Sequence, residues 1–369
     1  MKSKLKPFDY TLFTVVLIIF GVGLLMVLSA SSHLGVLKYD SPYYFFIRQF
    51  IFGVVGICIM LFLSRWDYKF YKNFSGLIFF AAICLLGLVL IPGVGSGDVR
   101  GAKRWINLGF FNLQPSEVAK LAVIIFLSAR ISMNPEKIKS FWGGLIPYLM
   151  LIGVVLALLY LEPHYSAMGL IIIVSVVILF VGGAKVSHFA ILGVPVILLG
   201  AIGIYISDYR LDRIIGFTDP WADIKGTGWQ VVQSLYALGS GGIFGLGLGQ
   251  SRQKYSYLPD AHNDFILAIL GEELGLIGMI VIIALFVILI WRGIVIATKA
   301  PDMFSGLLAT GITMLIAIQL VLNIAIITAC CPVTGMPVPF MSYGGTSMMI
   351  FMASAGILLN ISRHLRSEK

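Results

Sequence analysis

Apolar runs recur along the whole chain, separated by short polar segments. A helix of about 20 residues crosses a hydrocarbon core of roughly 30 Å, so each run reads as a membrane span. The pattern predicts spans at Tyr10–Ala30, Phe46–Ser64, Phe74–Pro92, Pro115–Ile131, Gly143–Leu161, Tyr165–Gly182, His188–Ser207, Asp264–Ile296, Met303–Thr328 and Ser347–Ile361. The expected fold class is an all-α integral membrane protein of about ten transmembrane helices, a single polytopic domain over residues 1–369. The eighth run is the longest and is expected to tilt or to emerge from the bilayer. The fifth and sixth make a hairpin around Glu162-Pro163-His164. Lys2, Lys4 and Lys6 precede the first run as in a signal peptide, but the run is too long for one and more spans follow, so it reads as a retained helix.

Composition agrees: the chain is 59% hydrophobic and 12% charged, whereas soluble domains carry about 25% charged residues. A net charge of +9 would suggest nucleic acid in a soluble protein; here no nucleic-acid partner is expected, because the basic residues sort by loop. With both termini cytoplasmic, 15 of the 26 Lys and Arg residues fall on inner segments and 10 on outer ones, with Lys120 inside a span. Most outer basic residues sit in two loops, Gly93–Gln114 and Asp208–Asn263. The second is a large extracytoplasmic loop between spans 7 and 8. Either long translocated loops simply tolerate these cations, or the cations meet an anion on the outer face. Cys58, Cys84 and the adjacent Cys330 and Cys331 have neither metal-site spacing nor a disulfide framework. The run Gly239–Gly249 does not end in Gly-Lys-Ser/Thr, so it reads as a flexible or re-entrant loop rather than a nucleotide cradle.

Ionisable groups in or beside spans are the most informative, since the bilayer penalises them. Pro115 suits the first turn of the fourth span, and Glu117 and Lys120 then share a face at i, i+3. They are either a plain ion pair with a snorkelling lysine or part of a site. Asp264 opens the eighth span at the same expected level, either as a helix cap or as a general base facing a lysine. Glu272 and Glu273 lie roughly 12–13 Å deeper and point to different faces, so at most one shares a groove with Asp264. Pro337–Ser347 carries two prolines and two glycines at the mouth of the last span. It reads as a re-entrant loop or as a phosphate site built from free N–H groups. All four elements fall on the outer side.

Gly101-Ala102-Lys103-Arg104-Trp105-Ile106, Gln114-Pro115-Ser116-Glu117-Val118-Ala119-Lys120, Tyr257–Phe265 with Gly271-Glu272-Glu273-Leu274-Gly275, and Pro339–Gly345 together resemble the SEDS family (shape, elongation, division and sporulation). The stretch Gln233–Ser251 looks most like its division and sporulation branch (FtsW and SpoVE), with the elongation branch (RodA) more distant. Two departures stand out: Glu162-Pro163-His164 where many members have Gln-Pro-Asp, and Asn263 where Thr is usual.

The resemblance implies a peptidoglycan glycosyltransferase in the bacterial cytoplasmic membrane. Such enzymes polymerise lipid II on the outer face and release undecaprenyl pyrophosphate. The implied partner is a class B penicillin-binding protein, a transpeptidase, within the divisome or a sporulation complex. The essential aspartate of the family maps onto Asp264 and its partner lysine onto Lys120. Asp264 is then the expected base, with Arg48, Arg104 and Lys120 as candidates to stabilise the leaving pyrophosphate, and a divalent cation as an open alternative. Glu117, His262, Ser342, Gly344 and Gly345 complete the expected substrate-binding set. The rival readings are a lipid II flippase and a non-enzymatic scaffold that activates the transpeptidase.

Overall fold

A computed structural model describes residues 7–97, 103–109, 111–191, 193 and 216–365. Among them six helices are long and apolar enough to cross a membrane: Tyr10–Tyr39, Tyr44–Leu63, Phe141–Leu161, Ile266–Thr298, Met303–Ile327 and Gly345–Ser362. Two shorter apolar helices, Ser75–Leu90 and Tyr165–Val181, join them. The chain is a multi-pass membrane protein. The expected span His188–Ser207 lies mostly outside the described residues, as do Arg100, Arg210 and Arg213.

We number the helices α1 (Tyr10–Tyr39), α2 (Tyr44–Leu63), α3 (Lys69–Asn73), α4 (Ser75–Leu90), α5 (Pro115–Met133), α6 (Ile146–Leu161), α7 (Tyr165–Val181), α8 (Trp229–Gly241), α9 (Ile266–Thr298), α10 (Met303–Ile327) and α11 (Gly345–Ser362). Helix α5 is the hub of the bundle. Nearly its whole circumference is covered, from Pro115 to Ala129, by α4, α6, α7, α10 and α11. An all-round buried helix ordinarily carries no charge, so Glu117 and Lys120 at 3% and 4% exposure need a local explanation. The far end of the bundle is tied by polar contacts of its own. Asp9 caps α1 through Leu12 N–H and pairs with Arg292. Asn360 of α11 accepts from Tyr68 N–H and donates to the Ser64 carbonyl, closing the C-terminus of α2.

Four features depart from the sequence expectation. The fold is mostly but not purely helical. The loop before α5 folds into a three-stranded antiparallel sheet, β1 (Gly95–Gly97), β2 (Lys103–Asn107) and β3 (Asn112–Leu113), with Ser96 opposite Trp105 and Ile106 opposite Leu113. The first helix continues past Ala30 to Tyr39, and the fifth span opens with a π-helical turn, Phe141–Leu145.

The fourth departure concerns α9. It starts at Ile266, not Asp264, and is two helices joined at Gly275, whose φ of 66° and ψ of −165° interrupt the spiral. A break inside a membrane frees backbone groups that protein must satisfy. The glycine-rich stretch does so. Leu246 and Gly247 N–H donate to the carbonyls of Glu272 and Glu273, while Leu276 and Ile277 N–H donate to those of Gly242 and Ile243. A side chain at Gly245 would sit 2.2 Å from the Glu273 carbonyl oxygen. The segment expected to be a flexible or re-entrant loop is thus a fitted backbone splint.

Candidate functional site

Three of the elements singled out in the sequence, the start of α5, Asp264 and the Pro337–Ser347 loop, come together around one cavity, while Glu272 and Glu273 do not. Pro115 starts α5, placing Glu117 in its first turn and Lys120 one turn on. Lys120 Nζ donates to Glu117 Oε1 at 2.7 Å, and the pair is almost wholly shielded from solvent. The lysine also lies 5.9 Å from the Phe351 ring centroid.

Beside this pair is a cavity of about 20 Å³ lined by Gln114, Glu117, Lys120, His164, Gln319 and Gly335, among others. Three lining side chains bring a buried polar atom that no protein group satisfies: Glu117 Oε2, His164 Nδ1 and Gln319 Oε1. Gln319 has its amide fixed, because Nε2 donates to the Pro337 carbonyl at 2.8 Å, which leaves the oxygen as the open end. Burial, with Arg104 and Lys120 adding repulsion, pushes the His164 pKa down to about 3, so its imidazole is neutral.

Asp264 belongs to the turn before α9. The cap position is Phe265, one residue further on. Its backbone is pinned on both sides: Asp264 N–H donates to the Asp260 carbonyl, and Asn323 Nδ2 donates to the Asp264 carbonyl at 2.7 Å and to that of Met336 at 2.9 Å. Gly335 connects aspartate and cavity. It lines the cavity with Lys120, has a φ of +69°, and any Cβ there would lie 3.2 Å from Asp264 Oδ2.

The remaining expected residues divide. Arg104, on β2, donates to the carbonyls of Glu162 and Pro163, so the sheet holds the α6–α7 hairpin that presents His164. Arg48 donates to Tyr44 Oη at 2.6 Å and lies beside Tyr343. His262 packs against Phe45 and Tyr343 in the same aromatic layer. Burial, with Lys38 adding to it, lowers its pKa to about 4.

The Pro339–Gly345 loop is internally committed. Ser342 Oγ accepts from Val338 N–H, Gln49 Nε2 donates to the Ser342 carbonyl, Gly344 N–H donates to Gln49 Oε1, and Tyr343 N–H donates to the His262 carbonyl. These bonds tie the loop to itself, to Gln49 of α2 and to His262. The backbone N–H groups of Ser342 and Gly344 are thus engaged within the protein, while Gly345 begins α11.

Glu272 and Glu273 serve another place. Glu272 accepts from Ser251 Oγ, Arg252 N–H and Gln253 N–H. Glu273 accepts from Ser29 Oγ and Ser251 N–H and pairs with Lys254 at 3.5 Å. Neither lines the cavity. Among the described residues no group of three His, Cys, Asp or Glu side chains is placed to hold a metal ion.

Sequence reasoning missed Gln49, Gln319 and Asn323. The last two were detectable as amides four residues apart in an apolar span, on one helical face.

This arrangement lies within a stretch, residues 10–367, that matches the FtsW/RodA/SpoVE cell cycle protein family. The chain belongs to that family. It is 43% identical to stage V sporulation protein E of Bacillus subtilis, over 99% of this chain and 100% of that one. It is 42% identical to a probable peptidoglycan glycosyltransferase FtsW of Trichlorobacter lovleyi, over 98% and 95%. Among solved structures it resembles a chain of a peptidoglycan synthase complex that coordinates polymerization and crosslinking. The TM-score is 0.79 and the identity 25%, covering 97% of this chain and 98% of that one. The rod shape determining protein RodA of Thermus thermophilus shares the fold, with a TM-score of 0.71 and 24% identity over 98% of each chain.

Proposed function

We propose that this protein is a peptidoglycan glycosyltransferase that polymerises lipid II at the outer face of the bacterial cytoplasmic membrane, with Asp264 as general base. The observation that carries the reading is the meeting of Asp264 and the Lys120–Glu117 cavity at Gly335. A base acts only if its carboxylate is held still beside the place where the sugar hydroxyl sits. Asn323 and the Asp260 turn hold the Asp264 backbone, and Gly335 leaves room for the side chain.

In the reaction a sugar hydroxyl attacks the anomeric carbon of a second lipid-linked sugar. The carboxylate takes the hydroxyl proton, the new glycosidic bond forms, and undecaprenyl pyrophosphate leaves with the electron pair. A pyrophosphate leaves as an anion and needs positive charge rather than a proton. Arg48 and Arg104 supply it at this end of the bundle. The relatives' names, and the synthase complex to which a structural neighbour belongs, support a partner transpeptidase of the class B penicillin-binding type, in division or sporulation.

The test is polymerisation of purified lipid II by wild type and Asp264→Asn, each with the partner transpeptidase and with folding checked by thermal unfolding. Removing a general base should lower the rate at least about 100-fold. Equal chains from both proteins would remove Asp264 from catalysis. No chains from either, with active partner and substrate, would favour the flippase or the scaffold.

A further inference from the structure

The cavity beside Lys120 is chemically unlike a phosphate site. Its one cation is already paired with its one anion at 2.7 Å, so the wall is neutral overall. The unsatisfied atoms Glu117 Oε2 and Gln319 Oε1 are both acceptors, and a phosphate oxygen facing them would meet lone pairs. What these atoms lack is a donor. Lys120 uses one of its three N–H bonds on Glu117, so the same wall also offers donors. Only a group that donates and accepts at once satisfies it. A neutral imidazole at His164, with Nδ1 unpaired, serves in either sense according to its tautomer. The volume of about 20 Å³ admits one small polar group, since a water-sized occupant needs at least about 10–15 Å³.

We propose that Glu117, Lys120, His164 and Gln319 form a subsite for one uncharged hydroxyl or amide arm of the sugar, and that the pyrophosphate binds elsewhere. The inference rests on the glycosyltransferase reading above and adds a division of labour within it. The neutral wall selects the sugar, and the arginines outside the cavity meet the charge. Buried acceptors left unpaired make such a pocket discriminating, because a ligand lacking the donor leaves them unsatisfied.

The experiment measures binding of two probes, lipid II and undecaprenyl pyrophosphate, to the full chain with its partner transpeptidase. It compares wild type, His164→Leu and His164→Asn. Leucine fills the space without hydrogen bonding, and asparagine restores a donor and an acceptor. We expect His164→Leu to weaken lipid II binding about tenfold, to leave undecaprenyl pyrophosphate within twofold, and His164→Asn to recover most of the loss. Equal losses for both probes would make this a phosphate subsite and overturn the proposal. Unchanged lipid II binding in His164→Leu would mean that the cavity holds a trapped water only, and would overturn it too. If His164→Leu fails to fold, His164→Asn and Gln319→Glu carry the test. The added charge of Gln319→Glu should weaken both probes if the pyrophosphate sits there, but lipid II alone if the sugar does. Failure of the parent reading looks different. A wild type that binds lipid II selectively yet makes no glycan chains removes the polymerase and leaves the subsite standing.

Discussion

The protein buries two acid–lysine clusters, and they are finished to different degrees. Around Glu272, Glu273 and Lys254 the acids are filled by the chain itself. Glu272 has three donors on its two oxygens, Glu273 has Ser29, Ser251 and Lys254, and Lys254 also donates to the Gly249 carbonyl. Only Glu273 Oε2 remains over. Around Glu117 and Lys120 there is a single 2.7 Å bond, and three neighbouring polar atoms face a cavity without partners. Buried polar groups are normally satisfied, so three that share the lining of one cavity invite a partner from outside the chain. The saturated cluster clamps the glycine splint onto the break in α9; the unsaturated one waits for a guest.

The largest effect that could break this comparison comes from Lys120→Met. It strands Glu117 as an unpaired buried charge, which destabilises by about 3–5 kcal/mol. The double variant Lys120→Met with Glu117→Gln removes both charges and should recover most of that stability in thermal unfolding while polymerisation stays lost. Recovery of both would reduce the pair to scaffolding. The saturated cluster should behave in the opposite way. Glu272→Gln replaces one acceptor oxygen by an NH₂ group that faces the Ser251, Arg252 and Gln253 donors, at a cost of about 1–3 kcal/mol. The surviving folded protein should keep its rate per molecule and its lipid II affinity. A folded Glu272→Gln protein that bound lipid II poorly would erase the distinction between the clusters.

What the sequence disclosed follows the same division between local and distant. Pro115, Glu117 and Lys120 lie within two helical turns, so their spacing alone announced the ion pair that the structure shows. Asp264 was visible as a carboxylate at a span mouth, but its displacement from the cap to the turn before Phe265 was not. The Asp264 carbonyl there is held by Asn323, 59 residues away. The break at Gly275 was hidden for a related reason: an apolar run looks continuous when its interruption is repaired by backbone pairing with residues 242–247. The cavity was the least legible feature. Its walls come from α5, the α6–α7 hairpin, α10 and the Gly335–Pro337 segment, which lie far apart in sequence, so nothing local shows that His164 and Gln319 share a site. The short strands before α5 hold too few apolar residues to show a period of two.

Glu162 sharpens the comparison most gently, as a buried acid with no hydrogen-bond partner for either carboxylate oxygen. Arg104 bonds its backbone carbonyl instead. Burial raises its pKa from 4.5 to about 8, only partly offset by the nearby Arg104 charge. The folded state therefore holds a proton that the unfolded state releases near pH 4.5. Linkage fixes the sign: stability is highest below the unfolded pKa, falls as pH rises through the interval, and levels off above about 8. Glu162→Gln keeps the shape of the protonated side chain and removes the titration. Its Tm should match wild type near pH 4.5 and exceed it at pH 8. A parallel pH dependence in the two proteins would mean that Glu162 is charged and partnered in the folded state. Unused lone pairs would then no longer separate a structural acid from one that awaits a ligand.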